Sequence, residues 1–355
     1  MFYINGINGG GAARVMIQLA MRFSSIGYRT ILVTSFLGRG DYPFPAGVER
    51  ITLEQEEVAQ SKLIRNISRI YKLRKLCRYH KPLALISFMA EPNFRAILAA
   101  MFLPVKTIIS VRNDPRKEYG GFINYLVAQF LLPMADGCVF QTEQASSWFP
   151  SKLRIKSRVI LNEVMEIFYN IDRSPGKDIV SIGRLTPQKN HKLLIRAFAR
   201  ISENYPDYKL KIYGVGELEG DLLKEIIQHN LEGAVIMMGS TDDVPVVLST
   251  AALFVLPSDY EGMPNALMEA LAAGVPSIST NCPCGGPEAL IQNGSNGLLV
   301  PVGDEVKMAE AIELLVSNPC YAELLGNNAK ELAEFYHPDV IFKHWKHYVE
   351  SVIHS

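Results

Sequence analysis

Short apolar runs, set between longer segments whose apolar positions recur every three or four residues, repeat along almost the whole of this chain. Such runs predict strands buried on both faces, and the 3.6-residue periodicity predicts amphipathic helices packed against them. In the first half the pattern predicts strands over 2–5, 30–34, 83–88, 107–111, 137–141 and 158–161, with helices over 12–26, 62–80, 93–102, 120–132 and 143–149. In the second half strands fall at 178–182, 208–213, 234–238, 252–256, 275–279 and 297–300, and helices at 190–204, 217–229, 243–250, 264–273, 286–292, 304–317 and 320–333. Regular alternation of the two implies an α/β fold of parallel sheets doubly wound with helices. A polar stretch over 162–175, after which the strand pattern restarts, divides the chain into domains 1–164 and 165–338 and leaves 339–355 as a terminal segment. Neither half carries an internal repeat or a low-complexity tract.

Composition narrows the setting. With 355 residues, 48% hydrophobic and 20% charged, the chain suits two globular domains. No run reaches the ~18 apolar residues of a membrane span, and the longest, over 122–133, is interrupted by Asn124 and Gln129. The start shows no basic segment followed by a long apolar one, which argues against a secretory signal; five cysteines, an odd number, suggest reduced thiols and a cytoplasmic setting. A net charge of zero conceals a split, because residues 1–164 hold 22 Lys and Arg against 11 Asp and Glu, whereas residues 165–355 hold 14 against 25. Much of the basic excess lies in 62–81, with eight Lys and Arg, no acid, and Leu63, Ile67, Ile70, Leu73 and Leu76 at helical spacing. That segment is either a solvated outer helix or one that rests on an anionic membrane surface or faces a polyanionic acceptor.

Candidate chemistry concentrates in 261–269, Glu-Gly-Met-Pro-Asn-Ala-Leu-Met-Glu. Pro264 suits a first helical position, 266–273 favours helix, and Gly274 with Pro276 ends it, so the helix is expected to begin just after Glu261. Glu261 and Glu269 would then stand roughly 12 Å apart on nearly one face. Two carboxylates at that span, with free N–H groups and a partial positive charge at the helix mouth, suit a ligand that has polar rings at both ends and a diphosphate between them. A nucleotide-sugar has that form. The plain alternative is a helix with a solvated Glu at each end.

The neighbouring segments decide between the two. Residues 179–191 read Ile-Val-Ser-Ile-Gly-Arg-Leu-Thr-Pro-Gln-Lys-Asn-His, a strand running into a loop with the cations Arg184 and Lys189 and then a helix. Residues 209–216 form a strand ending at Gly214 and Gly216, and 276–280 form a strand running into Cys-Pro-Cys-Gly-Gly-Pro-Glu over 282–288. In this order and spacing the set resembles the retaining glycosyltransferases of family 4, over nearly the whole chain. The resemblance implies the GT-B fold, two Rossmann-like domains facing across a cleft with a last helix crossing back onto the first, and 340–353 is placed to do this. Ligands of such sheets bind outside the carboxyl ends of the strands.

Carried over position by position, the resemblance makes Arg184 and Lys189 a clamp on the two donor phosphates, where fixed cations stabilise charge gathering on the leaving nucleoside diphosphate. Glu261 would bind hydroxyls of the donor hexose and Glu269 those of the ribose, since a carboxylate can accept from both hydroxyls of a diol. Backbone N–H groups of Gly262, Met263 and Asn265 would face the diphosphate and sugar, and the loop that ends at Thr241 would hold the base through main-chain atoms. Near the start, Asn8-Gly9-Gly10-Gly11-Ala-Ala-Arg14 follows the first strand, but G-x-G-x-x-G is not completed and no acid ends the second strand, which disfavours a nicotinamide site. In the resembling enzymes this loop, here with Gly10 and Gly11, lets backbone approach the donor phosphate and the acceptor, although their usual Glu before the Arg is Ala13. In place of a His found in many members, this chain has Arg112-Asn113-Asp114-Pro115, as in a subgroup acting on bacterial polysaccharide and lipid-linked acceptors. Arg112 would contact a donor or acceptor phosphate, while Asp114 before Pro reads equally as a loop cap. Retention in the family is ascribed to front-face displacement in which the leaving phosphate helps take the acceptor proton, so no dedicated base is required.

No D-x-D sequence is present, His344 and His347 read as exposed helix positions, and Cys282 with Cys284 lacks a second pair for zinc. The expectation is a metal-independent retaining glycosyltransferase with no cofactor beyond its nucleotide-sugar co-substrate. It would pass a hexosyl group, with N-acetylhexosaminyl preferred, from a UDP-sugar to a lipid-linked oligosaccharide or polysaccharide acceptor in bacterial surface-glycan synthesis. It would work in the cytoplasm, peripheral at the inner face of the membrane, with no nucleic-acid partner. The alternatives are a UDP-sugar 2-epimerase of the same fold, which would release free sugar without an acceptor, and a non-catalytic nucleotide- or glycan-binding subunit, which the presence of both Glu and both cations disfavours.

Overall fold

The computed structural model describes residues 1–7, 11–38, 44, 46–54 and 61–355. They form two units, Met1–Glu163 with Ile341–Ser355, and Val164–Val340. The first is built on β1 Phe2–Ile4, β2 Thr30–Phe36, β3 Val48–Glu54, β4 Ala84–Phe88, β5 Lys106–Ser110, β6 Gly137–Phe140 and β7 Ser157–Val159, in the order β3-β2-β1-β4-β5-β6-β7. The second has β8 Asp178–Ile182, β9 Lys209–Tyr213, β10 Val235–Gly239, β11 Ala251–Leu256, β12 Ser277–Thr280 and β13 Leu298–Val300, in the order β10-β9-β8-β11-β12-β13. The pairings within both sheets are parallel. Each order reverses once, at β1/β4 and at β8/β11, and that reversal leaves a crevice at the carboxyl ends of the strands.

Strands covered on both faces must be apolar throughout, which is why β4 and β6 are buried along their whole length. In the second unit Ile179, Leu210, Ile212, Leu253 and Val255 meet Leu194 and Phe198 of the helix His191–Ala199 and Ile312 and Leu315 of Glu305–Ser317. The terminal helix Pro338–Ile353 packs on the first unit, with Trp345 fully buried beside Phe88, 5.8 Å between ring centroids, and Phe342 edge-on to Phe23 at 5.2 Å. Tyr348 Oη accepts from the N–H of Cys138 at 2.7 Å and donates to the carbonyl of Lys156.

Several elements differ from the sequence pattern, among them the short helix Ser151–Arg154, which no predicted helix covers. β3 was not foreseen, because Val-Glu-Arg-Ile-Thr-Leu-Glu lies at the sheet edge and gives no continuous apolar run. The one-turn helix Pro115–Glu118 was also missed. The helix expected over 190–204 ends at Ala199, and that expected over 93–102 is Ala90–Ala100. Remaining boundaries move by a few residues, as helix ends and strand ends commonly do.

The helix Lys62–His80 arranges its charges against expectation. Arg69 is 5% exposed and pairs with Glu54 at 2.6 Å, Lys72 donates to Leu53 O at 3.0 Å, and Arg74 donates to the carbonyls of Ala99 and Met101 at 2.9 and 2.7 Å. These cations bend inward because β3 supplies a carboxylate and the end of Ala90–Ala100 supplies carbonyls with no helical partner. Leu73 is buried, but Leu63, Ile67 and Tyr71 face outward, 70%, 59% and 69% exposed, and among the cations Lys75 and Arg78 stay on the surface.

Candidate functional site

β8 and β11 are neighbours at the reversal of the second sheet, and the loops that leave their carboxyl ends carry Arg184, Lys189 and Glu261. Lys189 Nζ donates to Glu261 Oε1 at 2.6 Å, and the side chains are 14% and 7% exposed. Ser258 Oγ donates to the same oxygen at 2.7 Å. On either side of this pair the loops are stitched together. Asp259 N–H donates to Gln188 O and Gln188 Nε2 to Tyr260 O, both at 2.9 Å, and Asn190 Nδ2 reaches Asp259 Oδ1 at 2.7 Å. Gly183 leaves room for the lysine stem, since a Cβ there would meet Lys189 Cδ and Cε at 3.3 Å.

Glu261 is held from a third direction. Its N–H donates to Pro283 O at 2.6 Å and its carbonyl accepts from Cys284 N–H at 2.9 Å. Gly286 lets this loop close on its neighbour, because a Cβ at 286 would stand 2.1 Å from Gly262 O. The helix that follows is Asn265–Ala272, with Pro264 just before its first turn. Glu261 therefore lies in a loop, and the helical spacing expected between Glu261 and Glu269 does not apply; the loop is set by backbone bonds to 283–284 instead. Glu269 sits in the helix at 5% exposure, Gly262 and Met263 are buried, and Asn265 is half-buried. Arg184 is exposed where the chain leaves β8. Thr241 Oγ1 accepts from Asp243 N–H at 3.1 Å, which commits that hydroxyl to the turn into Val244–Thr250.

Burial keeps the groups around the ion pair neutral. His191, 3% exposed, has no partner for Nδ1, and burial followed by the nearby charge of Lys189 pulls its imidazole down to about 4. The Cys282 thiol is pushed up to about 12 by burial and then by Glu261. A thiol held in its protonated form is a poor nucleophile. Among the described residues no group of three or more His, Cys, Asp and Glu is placed to hold a metal ion.

In the first unit Gly11 opens the helix Gly11–Ser25 after β1, while Gly10 lies outside the described residues. Arg112 follows β5 at 8% exposure, its guanidinium carbon 4.1 Å from the centroid of the Phe88 ring, and neither Nη1 nor Nη2 has a hydrogen-bond partner. Burial pulls this guanidinium down to about 9, with Glu118 opposing. The Glu118 carboxyl, whose Oε1 accepts Ala90 N–H at 2.7 Å and whose Oε2 has no partner, is pushed up to about 7 by burial. Asp114 accepts Arg116 N–H at 2.9 Å and caps Pro115–Glu118, and Asn113 Oδ1 accepts Asp114 N–H at 2.9 Å. The cap accounts for Asp114. Arg112, a buried cation without a hydrogen bond, is left suited to an incoming anion.

Sequence reasoning missed Ser258, Asp259, Asn190, His191 and Glu118. The first two had a signal, as polar residues separated from the apolar run of β11 only by Pro257. Glu118 had none, since the backbone group it binds belongs to Ala90, 28 positions upstream.

Residues 169–332 match the family described as Glycosyl transferases group 1. An N-acetylgalactosamine-N,N'-diacetylbacillosaminyl-diphospho-undecaprenol 4-alpha-N-acetylgalactosaminyltransferase of Campylobacter jejuni is 30% identical over 277 residues, covering 74% of this chain and 75% of that protein. An uncharacterized glycosyltransferase of Haemophilus influenzae is 25% identical over 352 residues, 97% of this chain and 98% of that one. The crystal structure of Anabaena HepE in complex with UDP and glucose superposes with a TM-score of 0.82 at 17% identity, covering 99% of this chain and 98% of the other. That likeness shows the GT-B fold.

Proposed function

Because this chain belongs to the group 1 glycosyl transferases, we propose that it is a metal-independent, retaining hexosyltransferase that uses a UDP-sugar to extend a lipid-linked glycan or polysaccharide in bacterial surface-glycan synthesis. The observation that carries this reading is the Lys189–Glu261 pair at the reversal of the second sheet, 2.6 Å long and fixed by three further loop contacts. A cation and an acceptor carboxylate held side by side there suit the diphosphate and the hexose of one donor. On this reading Lys189 and Arg184 hold the phosphates and supply the positive charge that a metal supplies elsewhere. Glu261 accepts from the hexose, Glu269 from the ribose, and the N–H groups of Gly262, Met263 and Asn265 face the diphosphate. The loop ending at Thr241 would hold the base through main-chain atoms, and Gly10 and Gly11 keep the family's assignment of letting backbone approach the donor phosphate. The leaving phosphate itself helps take the acceptor proton, with no cofactor.

HepE's complex with UDP and glucose supports UDP as the donor's nucleotide, and the Campylobacter relative's diphospho-undecaprenol acceptor supports a lipid-linked one. Its N-acetylgalactosaminyl product also favours an N-acetylhexosamine. Arg112, with both Nη atoms unpartnered in a buried setting, is the residue we assign to the acceptor phosphate, with Asn113 and Asp114 shaping its loop. On this reading the enzyme works at the inner face of the cytoplasmic membrane, with the basic first unit, including the Lys62–His80 helix, toward the lipid. The test is a panel of nucleotide-sugars incubated with membrane lipid extract, followed by release of nucleoside diphosphate. Release that depends on both a UDP-sugar and the extract is expected. Free sugar formed without extract would instead mark an epimerase-like enzyme, and no release with any donor would overturn the reading.

A further inference from the structure

The helix Phe122–Leu131 turns its apolar residues to solvent. Phe122, Ile123 and Phe130 are 76%, 74% and 75% exposed, Tyr125 is 44% exposed, and Met134 in the turn beyond is 52% exposed, while Ala128 is the helix's one buried residue. From Tyr119 to Ala135 the sequence has no charged residue, and Arg116 and Lys117 stand exposed just upstream.

Topology extends this surface. The crossovers from β3 to β4, β4 to β5, β5 to β6 and β6 to β7 all advance the same way across the sheet, so right-handed connections lay them on one face. That face also carries Leu63, Ile67 and Tyr71, Phe102 at 93% exposure and Ile155 at 78%. Its exposed cations are Lys75, Arg78, Lys81, Arg116, Lys117, Lys152 and Arg154, and Glu143 is the single exposed acid among the described residues of these crossovers. A merely solvated face mixes both signs of charge and shows few large apolar side chains. Bare aromatic and aliphatic side chains among cations are what an anionic lipid surface takes up.

We propose that this face docks on an anionic bilayer, with Phe122, Ile123 and Phe130 entering the headgroup region and the surrounding Lys and Arg meeting lipid phosphates. A second copy of the chain is a poorer occupant, because a twofold contact would set cations against cations. Arg112 stands on the same β5–β6 crossover, so on the reading that the acceptor is lipid-linked, docking here would bring the acceptor's phosphate to the unpartnered guanidinium.

Co-sedimentation of the full chain with phosphatidylglycerol-containing and pure phosphatidylcholine vesicles tests this. Wild type should bind the anionic vesicles, and the variant Phe122→Ser/Ile123→Ser/Phe130→Ser should bind them at least ~100-fold more weakly, given the apolar area removed. Its thermal unfolding and UDP binding should be unchanged, since these side chains are exposed and UDP is assigned to the other unit. Lys75→Gln/Arg78→Gln should weaken binding only at low salt. An environment-sensitive fluorophore on Ile123→Cys, in a Cys320→Ser background that removes the exposed thiol, should shift to the blue on anionic vesicles. Wild-type vesicle binding by the triple variant would overturn the proposal, as would a dimeric wild type that becomes monomeric in the triple variant with no fluorophore shift. Transfer to a short-chain, water-soluble acceptor analogue separates the two readings: it persists in the triple variant if only docking is lost, and its absence in wild type that still binds vesicles would count against the enzymatic reading alone.

Discussion

Glu261→Gln keeps the shape of the side chain and removes its charge, and two roles of the residue then come apart. The carboxylate faces Lys189 Nζ at 2.6 Å. A diphosphate held by the same Nζ would stand about 5 Å from that carboxylate, and like unit charges at this distance repel by roughly 3 kcal/mol at an effective dielectric of 20. Arg184 and solvent offset much of this, so removing the charge should tighten UDP by about 1 kcal/mol, roughly fivefold. The hexose, by contrast, loses its charged acceptor, and turnover of the UDP-sugar should fall at least ~100-fold, the scale of one preorganised electrostatic contact. Gln still offers an oxygen to Ser258 and Lys189, so unfolding free energy should drop by only about 1–2 kcal/mol, the difference between a charged and a neutral hydrogen bond. Calorimetric titration with UDP, steady-state release of nucleoside diphosphate and thermal unfolding measure the three quantities. If UDP affinity and turnover fell by the same factor, Glu261 would act by holding Lys189 in place, and its contact with the hexose would have to be abandoned.

Lys189→Ala and Arg184→Ala should each weaken UDP by roughly 1.5–3 kcal/mol while leaving uridine nearly unaffected; titrations in which both ligands lost equally would point to a different pocket. His191, held at about 4 in the folded chain against about 6.5 unfolded, binds a proton more readily once unfolded, so its contribution is present above pH 6.5 and lost as pH falls toward 4, by about 3 kcal/mol. Urea unfolding at pH 7, 5 and 4 should show this loss in wild type and a smaller one in His191→Gln. Arg112→Met removes a buried cation without a hydrogen-bond partner, so the unfolding midpoint should hold or rise while the acceptor KM rises and UDP affinity stays the same; a drop in stability would show that the guanidinium has a structural partner. Dialysis against EDTA should leave transfer rates unchanged, and recovery by added Mg²⁺ or Mn²⁺ after a loss would refute the metal-independent assignment.

How far the sequence could be read depended on what each residue's partner was. Both sheets were legible because parallel strands, covered on two faces, must be apolar throughout, and the loops with Arg184, Lys189 and Glu261 stood out as polar breaks between such strands and helices. Their mutual arrangement was not legible. The distance between Glu261 and Glu269 was read from helical geometry, but the chain becomes helical only at Asn265, and the position of Glu261 is set by Pro283 and Cys284, more than twenty residues away in sequence. Lys189 and Glu261 are 72 positions apart, so periodicity carries no information about their contact.

The largest misreading came from a single edge strand. β3 packs on one neighbour only and mixes polar with apolar residues, so its sequence holds no continuous apolar run. Without β3, Glu54 had no place, and Arg69, its partner at 2.6 Å, read as a free surface cation along with Lys72, which in fact reaches Leu53 of the same strand. The basic helix then read as a wholly outward-facing row of cations, and the uncharged segment after Arg116 and Lys117 carried no reading beyond an apolar helix. Once β3 is in place the inward cations have partners, and the side chains that lack them are the apolar ones of Phe122–Leu131. A helix pattern shows that one face differs from another; which of them is turned outward depends on acceptors elsewhere in the sheet, and here those acceptors sat on the one strand whose pattern was weakest.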